Sequence, residues 1–141
     1  MNTKQLNRAF AALVFVISLT TYLMTVQKTV PFWDCSEFTA ATVYQQVPHP
    51  PGAPLFLMIG KLFHQFIPFG DPGWRVNLVS VFATAFSVLL LYSITVMAIS
   101  NIRGKRPETF AEALAVYGSA AVGALAFNFS DTLWFNGVES E

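Results

Sequence analysis

Three side chains able to transfer protons lie within a short stretch of the sequence. Asp34 and Glu37 flank Cys-Ser, and His49 follows in the run Val-Pro-His-Pro-Pro-Gly-Ala-Pro. A carboxylate whose proton affinity is raised among apolar rings can act as a general base toward a hydroxyl group. A histidine in a rigid turn can donate a hydrogen bond to a phosphate or exchange a proton. These residue types are consistent with acid–base chemistry on an incoming hydroxyl.

The spacing of the two acids also has a structural interpretation. An aspartate at a helix start with a glutamate three residues later forms a capping box, in which each side chain binds a backbone N–H of the first turn. Residues 34–47 then predict a helix of about three turns. The following prolines end it, because the residue before a proline avoids the helical region. Spacing alone favours the cap, and the two roles are compatible.

A second polar set lies on the short apolar segment at residues 55–67. This segment predicts a helix of about 20 Å, too short to cross a hydrocarbon core of about 30 Å, so we expect an interfacial or re-entrant helix. Lys61 and His64 share one face of it. With Arg75 they are candidates for contact with an anionic headgroup, although cations that snorkel at an interface are common.

Composition indicates a membrane protein. The chain is 54% hydrophobic and 11% charged, against about 25% charged in a soluble domain. Its net charge is zero and no basic run is long enough to follow a phosphate backbone, so no nucleic-acid partner is predicted. Cys35 is the only cysteine, which excludes disulfides within the chain and cysteine-based zinc motifs. We predict no metal site and no certain cofactor, and a divalent-metal requirement stays open.

Three apolar segments are long enough to span a bilayer. They comprise residues 9–26, 76–99 and 110–129. The first resembles a signal peptide but lacks a small-residue cleavage site. The third is rich in Ala and Gly, which favours close helix packing inside a bundle. The predicted fold class is an all-α integral membrane region covering residues 1–141.

Basic residues determine the predicted orientation. Lys4 and Arg8 precede the first span, and the loop at residues 100–109 carries three more cations. Short basic loops stay in the cytoplasm, so the amino terminus is predicted to be cytoplasmic. Residues 28–75 then form an external loop with interfacial helices. A loop of this length predicts a structure or function of its own.

Three motifs carry a family resemblance. Trp-Asp-Cys-x-Glu-Phe, His-Pro-Pro-Gly-x-Pro and the closing Phe-Ser-Asp-Thr-Leu-Trp-Phe-Asn-Gly-Val-Glu-Ser-Glu resemble the amino-terminal region of the bacterial family called domain of unknown function 2723. That family is grouped with the eukaryotic transmembrane protein 260-like protein O-mannosyltransferases. The resemblance implies the amino-terminal part of a C-type glycosyltransferase fold. Because such proteins are much longer, we expect this chain to be truncated from a longer protein.

The resemblance also implies an activity and its residues. The expected reaction transfers a hexose, with mannose favoured, from a polyprenyl-phosphate donor to a Ser or Thr hydroxyl of an exported protein. Asp34 is carried over as the base and Glu37 as its partner. Candidates for binding donor phosphate or substrate are His49, Lys61, His64, Arg75, Glu139 and Glu141. The expected location is a bacterial inner membrane, with the acidic loop in the periplasm and membrane lipid as a further partner.

Ser36 and Ser140 stand where this family usually has Gly, which leaves the neighbouring acids in place. The alternative function is a non-catalytic membrane interaction or assembly subunit, in which Asp34 and Glu37 only cap a helix. A transporter segment is disfavoured, because no charge lies in the middle of a predicted span.

Overall fold

The computed structural model describes residues 2–30, 32, 34–50 and 52–140, and the regular structure in these residues is helical. The helices are α1 (Thr3–Thr25), α2 (Asp34–Tyr44), α3 (Pro54–Phe66), α4 (Pro72–Arg103), α5 (Phe110–Asn128) and α6 (Asp131–Gly137). Three of them, α1, α4 and α5, are long and apolar enough to cross a membrane. The predicted all-α class is confirmed, and three of the helices could span a membrane.

Polar caps extend the spanning helices beyond the apolar segments. Asn2 and Gln5 form a capping box at the start of α1, so the helix begins several residues before the apolar run. At the start of α4, Asp71 accepts a hydrogen bond from the backbone N–H of Gly73 at 2.8 Å, and proline occupies the first turn, where it costs no hydrogen bond. Hydropathy therefore locates the centre of each span, and local caps set its ends.

The core of the bundle lies where α1, α4 and α5 meet. Its buried residues are Val14, Val88, Tyr92, Ala120, Ala121 and Ala124. The predicted packing of α5 inside the bundle depends on its alanines. Gly118 and Gly123 have open space where a side chain would stand, so the glycines are not the points of closest approach.

A second set of contacts connects the end of α5 and helix α6 to the carboxyl-terminal end of α1. The hydroxyl of Tyr22 donates to the carbonyl oxygen of Asn128 at 2.7 Å. A Cβ atom on Gly137 would lie 2.8 Å from the ring of Tyr22, so α6 packs directly on α1. The backbone N–H of Gln27 then donates to the carbonyl of Val138 at 2.9 Å. These contacts carry the chain after α6 toward the start of α2.

Helices α2 and α3 pack closely on one another beside α4. Helix α3 has 13 residues and is not one of the helices long enough to span, which agrees with the predicted short segment. A Cβ atom on Gly60 would lie 2.8 Å from the Cγ2 of Thr42. The Nζ of Lys61 donates to the carbonyl of Val43 at 2.6 Å. The glycine permits the approach, and the lysine fixes it.

We predict that Gly60→Ala lowers the thermal stability of the protein in detergent by about 1–3 kcal/mol, because an added methyl group must push α2 away from α3. Gly118→Ala is the matched control, since its methyl group enters open space and alanine is the better helix former. The measurement is the Tm of each variant. Equal Tm values for the two variants would contradict the close approach of α2 to α3.

Candidate functional site

Helix α2 places the two acids in its first turn. Negative side chains are favourable there because the unpaired N–H groups of the helix start carry partial positive charge. The predicted helix is confirmed, although it ends at Tyr44 and is followed by Gln45 in a left-handed conformation with φ of 56°. Cys35, between the acids, is buried, as expected for a small residue on the packed face.

The proline-rich turn folds back onto the first turn of α2. Within the turn, the N–H of Gly52 donates to the carbonyl of His49 at 3.0 Å, and Gly52 has φ of +76°, which glycine adopts at no steric cost. Glu37 holds this turn with both carboxylate oxygens. Its Oε1 accepts from the backbone N–H of His49 at 2.7 Å, and its Oε2 lies 2.8 Å from Nδ1 of the same residue. Two residues 12 positions apart are thereby joined.

The imidazole of His49 lies between the two carboxylates. Its Nε2 is 3.9 Å from Oδ2 of Asp34, beyond hydrogen-bond distance. The Asp34 side chain is 64% exposed, against 45% for each of the other two. Asp34 is therefore the carboxylate more open to an incoming molecule. The spacing predicts that the Glu37 carboxylate binds a backbone N–H at the helix start, as in a capping box. In the structure, its two oxygens contact the backbone N–H and the ring of His49.

Electrostatics separate the roles of the two acids. Hydrogen bonds from the His49 side chain and backbone hold the pKa of Glu37 below its ordinary 4.5. The hydrogen bond and charge of Glu37, with a smaller effect from Asp34, raise the pKa of His49 above 6.5. Glu37 is thus stabilised as an anion and is a poor base near neutral pH. His49 is favoured as a cation, the form that suits contact with a phosphate.

The same three residues also have the spacing of a cation site. One ligand atom from each of Asp34, Glu37 and His49 lies within 4.8 Å of the others. Carboxylate and imidazole groups are ligands of divalent transition metals. The sequence predicted no metal site because the turn brings His49 back to α2 only in the folded chain. A cation here would compete with the hydrogen bond between Glu37 and His49.

Phe38 supports the imidazole, although it is not among the site residues predicted from the sequence. Its ring lies edge-on to His49, with centroids 5.8 Å apart, and edge-on to Phe56 of α3 at 6.0 Å. Phe38 is four residues after Asp34, so the two share a face of α2. This four-residue spacing was the feature of the sequence that could have identified Phe38 as a neighbour of the site. The turn is consequently held by a carboxylate on one side and an aromatic ring on the other.

Lys61 and Arg75, two predicted headgroup contacts, bind backbone carbonyls. Lys61 binds Val43, as described above, and the Arg75 guanidinium donates to the carbonyls of His64, Phe69 and Gly70. Burial, and then the charges of Arg75 and Lys61, lower the pKa of His64 below 6.5, so it is a poor cation. Across the described contacts, these residues join α3 to its neighbours and do not touch the Asp34, Glu37 and His49 group.

The segment after α6 reaches the buried side of α2. Glu139 and Ser140 are both buried, and the Ser140 hydroxyl lies 3.4 Å from that of Thr39 and 3.4 Å from the carbonyl of Cys35. Glu139 therefore belongs to the segment packed behind the acidic turn. Glu141, also a predicted site residue, lies outside the described residues.

The chain is similar in sequence to protein O-mannosyl-transferases from two eukaryotes. The mouse Protein O-mannosyl-transferase TMEM260 is 32% identical over 92 residues, which are 64% of this chain and 13% of the mouse protein. The Dictyostelium discoideum Protein O-mannosyl-transferase tmem260 is 23% identical over 135 residues, which are 94% of this chain and 15% of that protein. The chain thus spans a small part of the length of these relatives. No solved structure matches significantly.

The family match covers the described site. Residues 34–141 match the family described as Protein O-mannosyl-transferase TMEM260 N-terminal domain. The matched range begins at Asp34 and contains Glu37, His49 and the segment after α6. The predicted resemblance is confirmed: the chain belongs to the TMEM260 N-terminal domain family.

Proposed function

We propose that this chain supplies the acidic loop of a membrane protein O-mannosyltransferase, and that Asp34 is its general base. The observation that supports the proposal is that the two acids differ in hydrogen bonding and in exposure. Glu37 is held by two hydrogen bonds to His49, whereas Asp34 is the more exposed carboxylate, one helical turn away. The family membership supplies the reaction type.

In the proposed reaction, Asp34 accepts the proton of a Ser or Thr hydroxyl, and the oxygen of that hydroxyl attacks the anomeric carbon of the donor mannose. The bond from that carbon to the phosphate oxygen breaks, and the lipid phosphate leaves with the bonding electrons. Attack opposite the leaving group inverts the anomeric configuration. A positioned base of this kind contributes roughly 10²–10⁴-fold to the rate. We propose a polyprenyl phosphate as the lipid of the donor and an exported protein as the acceptor.

His49 is proposed to steady the departing phosphate. Its pKa is raised by the Glu37 carboxylate, so positive charge is favoured near Asp34, and it would offset the negative charge that develops on the leaving group. Glu37 is then a positioning residue, because it acts through His49. The role proposed for Lys61, His64 and Arg75 at the donor is weaker, since their polar atoms bind backbone or are buried within the protein.

We propose that this chemistry takes place at the outer surface of the membrane. The amino terminus is proposed to be cytoplasmic because Lys4 and Arg8 precede α1 and the loop after α4 is basic. The loop between α1 and α4 is then external, on the periplasmic side of a bacterial inner membrane. A donor whose tail lies in lipid and whose sugar lies in water would meet α2 there.

Asp34→Asn should lower mannose transfer to an acceptor peptide by at least about 100-fold, because asparagine cannot accept the proton. The measurement is the initial rate with the full-length protein in membranes. The Tm should stay near that of the unmodified protein, since Asp34 and His49 are 3.9 Å apart and share no hydrogen bond that the substitution would remove. Near-normal turnover by folded Asp34→Asn would remove Asp34 from the role of base.

Glu37→Gln is the matched comparison, because it removes the other charge of the same helix turn. It should lower the Tm, since the charged partner of His49 is lost. A non-catalytic cap would give a different pattern, in which both substitutions lower the Tm together and neither affects activity beyond the loss of folded protein.

The pairing of His49 with Glu37 should give the Tm a defined pH dependence. The raised pKa of His49 contributes stability that is complete below 6.5 and is lost as pH rises through the higher folded value. The lowered pKa of Glu37 contributes stability that is complete above 4.5 and is lost as pH falls through the lower folded value. The Tm difference between the unmodified protein and His49→Gln should therefore be largest from pH 4.5 to 6.5. A difference independent of pH would contradict the ion pair.

A further inference from the structure

A separate polar cavity lies at the other end of the bundle, away from α2. It is formed by the start of α1, the end of α4, the loop that follows α4 and one side chain of α5. Its volume is about 560 Å³, within the range of roughly 300–1,000 Å³ that is typical of small-ligand pockets. None of the residues of the Asp34, Glu37 and His49 group lines it.

Three cations converge on this cavity. Lys4 and Arg8 share one face of α1, four residues apart, and Arg106 approaches from the loop after α4. The residues lining the cavity include no acid. The nearby Glu112 is paired elsewhere, at 3.1 Å from Arg103 and 3.7 Å from Lys105. Within the described part of the chain, the three cavity cations have no ion pair, so no acid among these residues neutralises their positive charge.

Neutral side chains add hydrogen-bond donors to the same space. The Tyr92 hydroxyl donates to Oδ1 of Asn7 at 2.7 Å, which orients that amide and leaves its Nδ2 hydrogens for another acceptor. Asn7 and the buried Tyr117 both line the cavity. Cations and N–H or O–H donors facing one volume without an acid select an anion with several oxygen atoms. The rule that basic residues stay in the cytoplasm accounts for the presence of Lys4, Arg8 and Arg106 at this end of the bundle. It does not explain why all three line the same cavity.

We propose that this cavity binds a phosphate group, as carried by the headgroup of an anionic membrane lipid or by a free phosphate anion. Basic pockets between membrane helices on the cytoplasmic side are suited to such headgroups. Met97 lines the cavity and is 58% exposed, so an apolar surface on α4 continues from the site, where an acyl chain can lie. The binding site is independent of the proposed transferase activity.

Arg106 and its neighbour Lys105 provide a matched pair of variants. Both lie in the loop after α4, but only Arg106 lines the cavity, and Lys105 pairs with Glu112. The full chain in phosphatidylcholine nanodiscs is titrated in one arm with short-chain phosphatidylglycerol and in the other with inorganic phosphate, and binding is followed by calorimetry. Arg106→Gln should weaken binding at least about tenfold, as expected for a charge-assisted hydrogen bond. Lys105→Gln should weaken it about twofold, as expected for an exposed charge.

The two arms identify the source of the phosphate. Saturable binding of phosphatidylglycerol, with no binding of inorganic phosphate, assigns the site to a lipid headgroup; saturable binding of inorganic phosphate assigns it to the free anion. Arg8→Gln, on α1, should weaken binding of the same ligand as strongly as Arg106→Gln, with an unchanged Tm for both. The proposal is overturned if neither ligand saturates, or if Lys105→Gln weakens binding as much as Arg106→Gln.

Discussion

The contact between Glu37 and His49 organises the candidate site. A single carboxylate accepts hydrogen bonds from both the backbone and the ring of one histidine, so the proline-rich turn is held at a fixed position against α2. Without this contact, the turn would have no polar attachment to the first turn of the helix among the described hydrogen bonds. The contact also fixes the charges, because it stabilises the anion of Glu37 and the cation of His49 together. Asp34 is left beside this histidine with its own carboxylate open.

Contacts with the rest of the fold hold α2, and therefore Asp34, Glu37 and His49, in position. Helix α2 is attached to α3 through Gly60 and Lys61, and the buried segment around Ser140 packs on its other side. The three long apolar helices pack through alanines, valines and Tyr92, which suits a membrane, where close van der Waals packing replaces the hydrophobic effect between helices. A short helix has little stability alone, so α2 depends on these attachments for its position.

Much of the helical architecture could be predicted from sequence, because each span is a long apolar run and because α2 and α3 are bounded by prolines or caps. The acids and His49 could also be selected by their residue types. The contact between Glu37 and His49 could not, because it depends on the path of a turn that returns over 12 residues. Spacing favoured a local cap, and the tertiary contact prevailed. The same reason applies to Arg75, whose carbonyl partners lie in a preceding loop and helix end.

The central claim is that Glu37 holds His49 as a cation while Asp34 remains available. The most direct measurement is the titration of the His49 ring by NMR in the detergent-solubilised protein. The account predicts a His49 pKa above 6.5 in the unmodified protein, which falls clearly in Glu37→Gln and only slightly in Asp34→Asn. A His49 pKa at its ordinary value, or an equal fall in the two variants, would contradict the account.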